Sequence, residues 1–571
     1  MTSQAPPTTE RTIELRPPEL VMSPRWTGAV RQTRYSFSRS LIRRAFRDGW
    51  GIEATKVDLD AEGRGEVEFR IDTDTHQFHL FAITQTLDES LHSDRVIAGQ
   101  WEVAAALWEG PLTDPDRRQL RAEVPLQERS RNDHRVLALT RGNRSVRFFQ
   151  YLVDCLAAGH QPDPDLVADS GYIMRSTAFY GNGKFGTRSF HGYEPGHPLG
   201  APYRAQMLCA WLFRELSYVV LEHCAAAKGG AAAVPLDGAW STYFGLGNAT
   251  GLGLVPFAYR HPSIIEAWVS IRERALADVR AERGSPDAVA ELEWWIDRAV
   301  THFATGTDDN CTPFLSGAAL APVAIAIRDS FESCKHDRLP FDSLYRWAEA
   351  QGPETAELVV TLLIELHRGD DDEIDRAYVV EERTAVDPAT PVGRIRSQLD
   401  QLGWLEPLQL DGEQADHYWW LLTDNANEPR RAPRHALDPN DRDATIDVAL
   451  RYWRLARSLD DRPDDTPIQQ VLQAEPEHRL AVARLLDHRP YGEPRDNPCA
   501  EDYLPLMLQR FQLATYGMDN FKPKSTDWLR VTLFQGAPRV GDLAAANSTA
   551  DRSEIDIDRW TLPARPAKEG T

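Results

Sequence analysis

The sequence predicts an α+β protein in which an N-terminal antiparallel-sheet domain is followed by a larger, mainly α-helical region. Two patterns support this fold class. Before residue 110, apolar and polar residues alternate along short runs, as they do in half-buried strands. After residue 200, apolar residues recur every three or four positions, which is the spacing of a buried helix face. At 571 residues the chain is too long for one ordinary core, so several domains are expected.

Residues 21–160 are predicted to form one α+β domain. Alternating runs at 57–59, 67–71 and 78–82 are separated by DAEGRG and DTDTH, which predicts strands joined by hairpins. Residues 1–20 are rich in Pro and Thr and are expected to be a disordered tail. Additional strands are predicted at 96–107 and near 136–139, and helices at 35–48, 114–122 and 145–158.

Residues 161–385 are predicted to be a helical domain with Gly-rich loops. Several of its helices begin near a Pro, whose missing N–H costs nothing in a first turn. They are predicted at 202–227, 262–282, 286–303, 313–331 and 355–367. An acidic stretch, 369–382, precedes a C-terminal helical domain, 386–541, with one strand-like segment at 417–423. A polar extended tail is expected at 542–571.

The composition excludes some classes of partner and favours a cytoplasmic, bacterial protein. A net charge of -22 argues against nucleic acid and against an anionic membrane surface, because both require basic surface. No apolar run reaches the roughly 20 residues that span a bilayer, and no secretory signal is recognised. The six cysteines are scattered, which favours a reducing compartment. The sequence is also compatible with a homo-oligomer.

The stretch WSTYFGLGNATGLGLVPFAYRH, residues 240–261, has four glycines and no acidic residue. Glycine lets another group approach the backbone closely, and a loop of free N–H groups that leads into a helix binds anions. Gly247, Asn248, Thr250 and Gly251 are therefore candidate anion-binding residues. The alternative is a tight turn whose glycines permit close packing.

A second Gly-rich stretch, residues 172–204, is locally basic. We expect Lys184 and Arg188 to hold the anionic group of a substrate, and Tyr180 or His191 to transfer a proton. His has the better pKa for proton transfer near neutral pH, whereas Tyr180 needs a nearby cation such as Lys184. The alternative is a surface loop with solvated charges.

Two more stretches are basic, residues 515–530 with Lys524 and residues 425–435 with Arg430. Positive charge gathered on loops of an acidic chain would attract an anionic ligand. Lys524 and Arg430 are therefore candidate substrate-binding residues. Whether the four stretches meet in space is not visible in the sequence.

No metal-binding residues are predicted, and the sequence leaves open whether a cofactor is bound. Glu215, Glu222 and His223 share one helix, but a solvated face explains them equally well, and His191 and His197 fit no zinc spacing. Cys311, before a predicted helix, is interpreted as a small apolar residue rather than a nucleophile.

The sequence thus predicts an enzyme that acts on a small anionic metabolite, a carboxylate or phosphate, by acid–base chemistry in a pocket lined by Gly-rich basic loops. The alternatives are a non-catalytic ligand-binding or scaffold protein, and a flavin- or metal-dependent oxidoreductase. The reaction type and the substrate stay open.

Overall fold

The computed structural model describes most of the chain, and every structural statement below refers to the described residues. They are 13–87, 101–126, 133–146, 148–167, 171–176, 193–201, 203–248, 262–305, 317–369, 385–403, 405, 419–422, 430–432, 442–444, 448–487, 489–492, 504–525, 528–543 and 557–567.

Nine strands form one sheet, and its first five members lie in the region where strands are predicted. Each of the five pairs antiparallel with the next. The edge strand β1 is largely exposed, whereas β4 is buried along almost its whole length. They are β1 (Gly51–Leu59), β2 (Gly65–Asp72), β3 (Gln77–Thr84), β4 (Val103–Glu109) and β5 (Val136–Arg144).

The other four strands of the sheet come from later parts of the chain. They are β6 (Tyr172–Ser176), β7 (Gly245–Asn248), β11 (Met518–Ser525) and β12 (Trp528–Leu533). The strand order is β1-β2-β3-β4-β5-β6-β7-β12-β11, and only the β6–β7 pair is parallel. The sheet therefore runs across the predicted boundary at residue 160 and includes a C-terminal hairpin. The division of the chain into domains stays a prediction.

The helical region is confirmed, and with it the α+β class. The described helices are α1 (Pro18–Val21), α2 (Pro24–Ala29), α3 (Phe37–Arg47), α4 (Asp114–Glu123), α5 (Phe149–Ala157), α6 (Pro164–Val167), α7 (Arg204–Gly229), α8 (Gly238–Tyr243), α9 (Pro262–Ala281), α10 (Pro286–Thr305), α11 (Gly317–Cys334), α12 (Pro340–Gln351), α13 (Pro353–Ile364), α14 (Val392–Leu399), α15 (Val448–Leu459), α16 (Ile468–Ala474), α17 (Arg479–Leu486) and α18 (Leu504–Tyr516). Helix α12 is not among the helices that the sequence predicts. None of the described helices combines the length and the apolar character that a bilayer crossing requires.

Helix α7 lies at the centre and fixes the position of β7. It packs against α3, α5 and strands β4–β7, and most of its side chains are buried. The buried Arg214 donates hydrogen bonds to the carbonyls of Phe244 at 2.8 Å and Ser241 at 2.9 Å. It also donates to the carbonyl of Ala537 at 2.8 Å. Phe244 immediately precedes β7, and Ala537 lies shortly after the end of β12. The Arg214 guanidinium therefore joins the start of β7 to the segment that follows β12.

A second, small sheet lies apart in the sequence. Its order is β10-β8-β9, with β8 (Trp419–Leu422) in the centre, β9 (Arg430–Ala432) and β10 (Arg442–Ala444). Strand β8 falls within the strand-like segment predicted at 417–423. All three strands are short, and both pairs are antiparallel.

Part of the segment expected as an extended tail packs into the core. Ile557, Trp560 and Leu562 are buried, and the Trp560 ring stacks on Phe534 just after β12. The acidic side chain of Asp558 is buried too. Its partners are arginines near the N-terminus, which the local sequence does not reveal.

Candidate functional site

Three of the four basic stretches lead to or from neighbouring strands at one end of the large sheet. Strands β6 and β7 are parallel, so their last residues, Ser176 and Asn248, lie at the same end of the sheet. Strand β12 is antiparallel to β7, with Val531 opposite Asn248, so the β11–β12 turn lies toward that end as well. The strand ends that belong to the stretches at 172–204, 240–261 and 515–530 therefore lie at one end of the sheet, as far as these stretches are described.

The glycines at the start of the 240–261 stretch belong to a strand, not to the predicted loop. Strand β7 is hydrogen-bonded on both sides, to β6 and to β12. A Cβ on Gly247 would lie 2.6 Å from the ring of Tyr172, and one on Gly245 would collide with the carbonyl oxygen of Leu533. These two glycines therefore allow close packing of strands. The alternative kept open for this stretch, close packing, applies to them.

The remaining predicted site residues divide into two groups. Tyr180, Lys184, Arg188, His191, Thr250, Gly251 and Cys311 lie outside the described residues. Asn248 ends β7, and Lys524 is the last residue but one of β11, both at the sheet end defined above. Arg430 begins β9 and so belongs to the small sheet, separate from the other candidates. Their roles stay predictions.

A cluster of two histidines and a glutamate lies at the same end of the large sheet. Glu109 is the last residue of β4, opposite Phe78 near the start of β3, and His76 immediately precedes β3. His197 Nε2 is 2.7 Å from Glu109 Oε1. The rings of His76 and His197 meet edge to face, with centroids 4.3 Å apart. We call His76, Glu109 and His197 the His–Glu cluster.

Local backbone hydrogen bonds hold each member of the His–Glu cluster. The turn before β3 is closed by Thr73, whose N–H donates to the His76 carbonyl at 2.9 Å and whose hydroxyl accepts from the His76 N–H at 2.9 Å. His197 donates its N–H to the Glu194 carbonyl at 3.1 Å and accepts at its own carbonyl from the Gly200 N–H at 3.0 Å. Side chains on two separate loops are thereby held against the end of β4.

The tautomer of His197 follows from its backbone contact. The Leu199 N–H donates to His197 Nδ1 at 3.0 Å, so Nδ1 carries a lone pair in the neutral ring. The proton then lies on Nε2 and is donated to Glu109. His197 is thus fixed as a hydrogen-bond donor to the carboxylate, which orients Glu109 rather than accepting a proton from it.

The His–Glu cluster also meets the simplest requirement for a metal site. One ligand atom from each of His76, Glu109 and His197 can be chosen so that all three lie within 4.8 Å of one another. Tetrahedral zinc with bonds near 2.1 Å requires ligand atoms about 3.4 Å apart, so side-chain movements of about 1 Å suffice. Ligation by His197 would cost the Leu199 hydrogen bond, about 1–3 kcal/mol.

A second His–Glu pair on the same sheet provides a contrast. His79 Nδ1 lies 2.9 Å from Glu68 Oε1, but the third partner is Arg117, whose Nε donates to Glu68 Oε2 at 2.9 Å. Burial of the Glu68 carboxyl raises its pKa, yet the hydrogen bonds from His79 and Arg117 outweigh burial and lower that pKa to about 2. A guanidinium cannot ligate a metal, so this pair is a structural ion pair.

The acidic pair on α7 has structural partners as well. Glu215 is buried and accepts a hydrogen bond from Arg539 Nε at 2.8 Å. Glu222 Oε1 accepts from the Leu236 N–H at 3.2 Å, and His223 Nε2 lies 2.8 Å from the Asp60 carbonyl. The two glutamates therefore do not share a solvated face, and each stabilises a different neighbouring segment.

Sequence reasoning named His197 within the 172–204 stretch but missed His76 and Glu109. Both lie at strand ends, where the alternation stops, and that position is the signal that could have drawn attention to them. Their pairing with His197 depends on the register of β3 with β4, which sets Phe78 opposite Glu109.

The chain matches no family model, no curated protein and no solved structure.

Proposed function

We propose that the chain is a cytoplasmic enzyme that acts on a small anionic metabolite, a carboxylate or phosphate, by acid–base chemistry at one end of the nine-stranded sheet. The observation that carries the proposal is the shared direction of β6, β7 and the β11–β12 turn. Three locally basic stretches belong to these elements, and the His–Glu cluster lies at the same end of the sheet.

The basic stretches supply the binding part of the proposal. Lys184, Arg188 and Lys524 hold the anionic group, with backbone N–H groups from Asn248 to Gly251. Hydrogen bonds to charged groups contribute about 1.5–3 kcal/mol each, so two or three of them give useful affinity. Since the whole chain carries a charge of -22, local positive charge is also what guides an anion to this end of the sheet.

The proton-transfer part rests on Tyr180 or His191, as the sequence suggests, and on the His–Glu cluster. Glu109 is a carboxylate whose one oxygen is fixed by His197, which leaves the group oriented for general-base chemistry. His76 is half-buried beside it and provides a second side chain that can carry a proton. In this assignment His197 is a positioning residue.

Binding is tested first, by thermal unfolding of the full chain in phosphate, citrate and chloride at equal ionic strength. Phosphate or citrate should raise the melting temperature above that in chloride, because a ligand stabilises the state that binds it. Lys184→Ala and Lys524→Ala should remove that increase. Lys228→Ala is the matched control, because Lys228 is exposed and pairs with Asp154 on the α5–α7 surface. Equal melting temperatures in all three salts would rule out the anion site.

Proton transfer is tested separately, by proton NMR of a panel of carboxylate and phosphorylated metabolites in heavy water. An acid–base enzyme should exchange a carbon-bound proton of its substrate for deuterium. Glu109→Gln should abolish exchange and leave the anion-induced stabilisation in place. Binding without exchange for any member of the panel would favour the ligand-binding or scaffold alternative.

A further inference from the structure

We infer that the His–Glu cluster binds one divalent transition-metal ion of the zinc class. His76 Nε2, a Glu109 carboxylate oxygen and His197 Nε2 are the proposed ligands. One ligand atom of each of the three residues lies within 4.8 Å of the other two, and this proximity carries the inference. It concerns the same end of the sheet as the proposed function, but it requires no substrate and can be tested without one.

The types of ligand atom set the class of ion. Two imidazole nitrogens and one carboxylate oxygen suit zinc, cobalt and related ions, and they lack the six or more oxygens that calcium takes. The three ligands come from separate segments, the turn before β3, the end of β4 and the 193–200 segment. Such a metal ion would therefore crosslink the sheet end to the segment that follows the 177–192 stretch.

His76 has a neighbour that can accept a proton from its Nδ1. Its Nδ1 lies 2.8 Å from the Thr75 hydroxyl oxygen, so a proton on Nδ1 has an acceptor and the Nε2 lone pair is available. Histidine ligands commonly donate their second N–H in this way, which fixes the ring. Thr75 is thus the outer partner of the proposed ligand.

His197 reaches the metal-bound state by a change of tautomer, in which the proton on Nε2 is replaced by one on Nδ1 and the ring stays neutral. In the absence of metal, the Nε2 proton of His197 bridges to Glu109 Oε1 across 2.7 Å. The ion takes the position of that proton between the two groups. The neutral ring then carries its proton on Nδ1, and the Leu199 N–H must find another acceptor or shift with its turn.

Three protein ligands leave a tetrahedral ion with one open position. Catalytic zinc sites have this arrangement, whereas structural sites are closed by four protein ligands. An anionic group or a water molecule could occupy that position. A metal ion bound to the His–Glu cluster would occupy the lone pairs that proton transfer by Glu109 or His76 requires. In the metal-bound protein, proton transfer would therefore fall to Tyr180 or His191, and the anion-binding part of the proposed function would be unchanged.

The experiment measures metal binding by the full chain after treatment with a chelator and removal of the chelator. Zn²⁺ binding is followed by calorimetry, and Co²⁺ binding by visible absorption, where tetrahedral coordination gives intense bands. We expect one ion per chain. His76→Ala and Glu109→Gln should each weaken binding at least tenfold and reduce the cobalt bands.

His134→Ala is the matched control, because His134 lies on the same sheet region, is 80% exposed and pairs only locally with Asp133. It should bind both ions as the wild type does. Far-ultraviolet circular dichroism checks that each variant is folded, and the half-buried turn position of His76 makes His76→Ala the variant most tolerant of substitution.

Two results would overturn the inference: no stoichiometric Zn²⁺ or Co²⁺ binding by the wild type, or equal affinities for His76→Ala and His134→Ala. Failure of metal binding would leave the anion-dependent melting and the proton exchange unaffected. Conversely, the protein could bind the metal while its melting temperature does not respond to phosphate or citrate. That result would support the metal site and reject the proposed function.

Discussion

Asp558 accepts a hydrogen bond from Arg39 at 3.0 Å, although 519 positions separate the two residues. Arg43 Nη1 lies 3.1 Å from the same carboxylate, and Arg34 Nε lies 3.5 Å from it. Burial raises the pKa of the Asp558 carboxyl, but the charges of Arg39, Arg43 and Arg34 more than compensate and lower it. The segment at 557–567 is therefore held to α3 by ionic contacts in the interior.

Asp558→Asn should destabilise the protein by about 3–5 kcal/mol, because it leaves buried arginines without their full counter-charge. The measurement is the urea midpoint of unfolding. Asp114→Asn is a suitable control: Asp114 is 85% exposed and also pairs with an arginine, Arg117, at 3.2 Å. Exposed pairs contribute about 0–1 kcal/mol, so this control should shift the midpoint little. Equal shifts for the two variants would contradict an interior ionic contact.

His302 gives a prediction about mildly acidic conditions. Burial lowers the pKa of its imidazole to about 4, while its hydrogen bond to the Pro563 carbonyl, 2.9 Å away, acts in the opposite direction. The folded pKa is below the unfolded value of about 6.5, so the unfolded chain takes up the proton first. Stability is thus complete above pH 6.5 and is lost as the pH falls toward 4, by about 3 kcal/mol in total.

The comparison of His302→Gln with the wild type isolates this effect, because glutamine can donate to the same carbonyl and does not titrate. The difference in unfolding free energy between the two proteins should change by about 3 kcal/mol between pH 7 and pH 4, in favour of the variant. His134→Gln, at an exposed position, should show no such change. A constant difference across that range would mean that His302 is not held neutral by the fold.

Gly247→Ala tests whether β7 and β6 pack as closely as the structure indicates. The added methyl group would lie 2.6 Å from the Tyr172 ring, which is too short for a carbon contact. Overpacking of this kind costs about 1–3 kcal/mol. Gly238→Ala is the control, because a Cβ there meets nothing within 4 Å. Gly247→Ala should therefore melt at a clearly lower temperature than Gly238→Ala. If Gly247→Ala does not change the melting temperature, β6 and β7 can move apart to accept the methyl group.

The sequence predicts strands in the region of β1–β5 but none at β6, β7, β11 or β12. For β6 and β7 the reason is physical. Strand β2 has half-buried and buried residues, and polar and apolar residues alternate along it. All five residues of β6 are buried, and β7 has strands on both sides, so neither shows an alternation that reports a strand. In the sequence, the glycines of β7 suggest a loop. In the structure, they are required because the neighbouring strands pack closely against them.

The His–Glu cluster could not be predicted for a related reason. His76 and Glu109 belong to different strand ends, and His197 lies 88 positions after Glu109. No helical or metal-binding spacing connects them, so only the strand register brings them together. The direction shared by β6, β7 and the β11–β12 turn likewise depends on the sheet order, which puts a C-terminal hairpin beside a strand from the middle of the chain.

Glu68 gives a prediction for a lower pH range, with the same direction: stability is again lost as the pH falls. Its carboxyl pKa is about 2 in the fold, below the value of about 4.3 expected in the unfolded chain. Its contribution to stability is therefore complete above pH 4.5 and is lost as the pH falls toward 2, by about 3 kcal/mol.

Glu68→Gln removes that titration but retains a side chain that can accept from Arg117. The unfolding free energies of the two proteins should thus converge between pH 5 and pH 2. Most of the stability loss that is due to His302 should already have occurred at pH 4. A single pH series can therefore separate the effect of His302 from that of Glu68. If the wild type and Glu68→Gln keep a constant difference down to pH 2, the ion pair with His79 and Arg117 does not hold the carboxylate ionised in the folded protein.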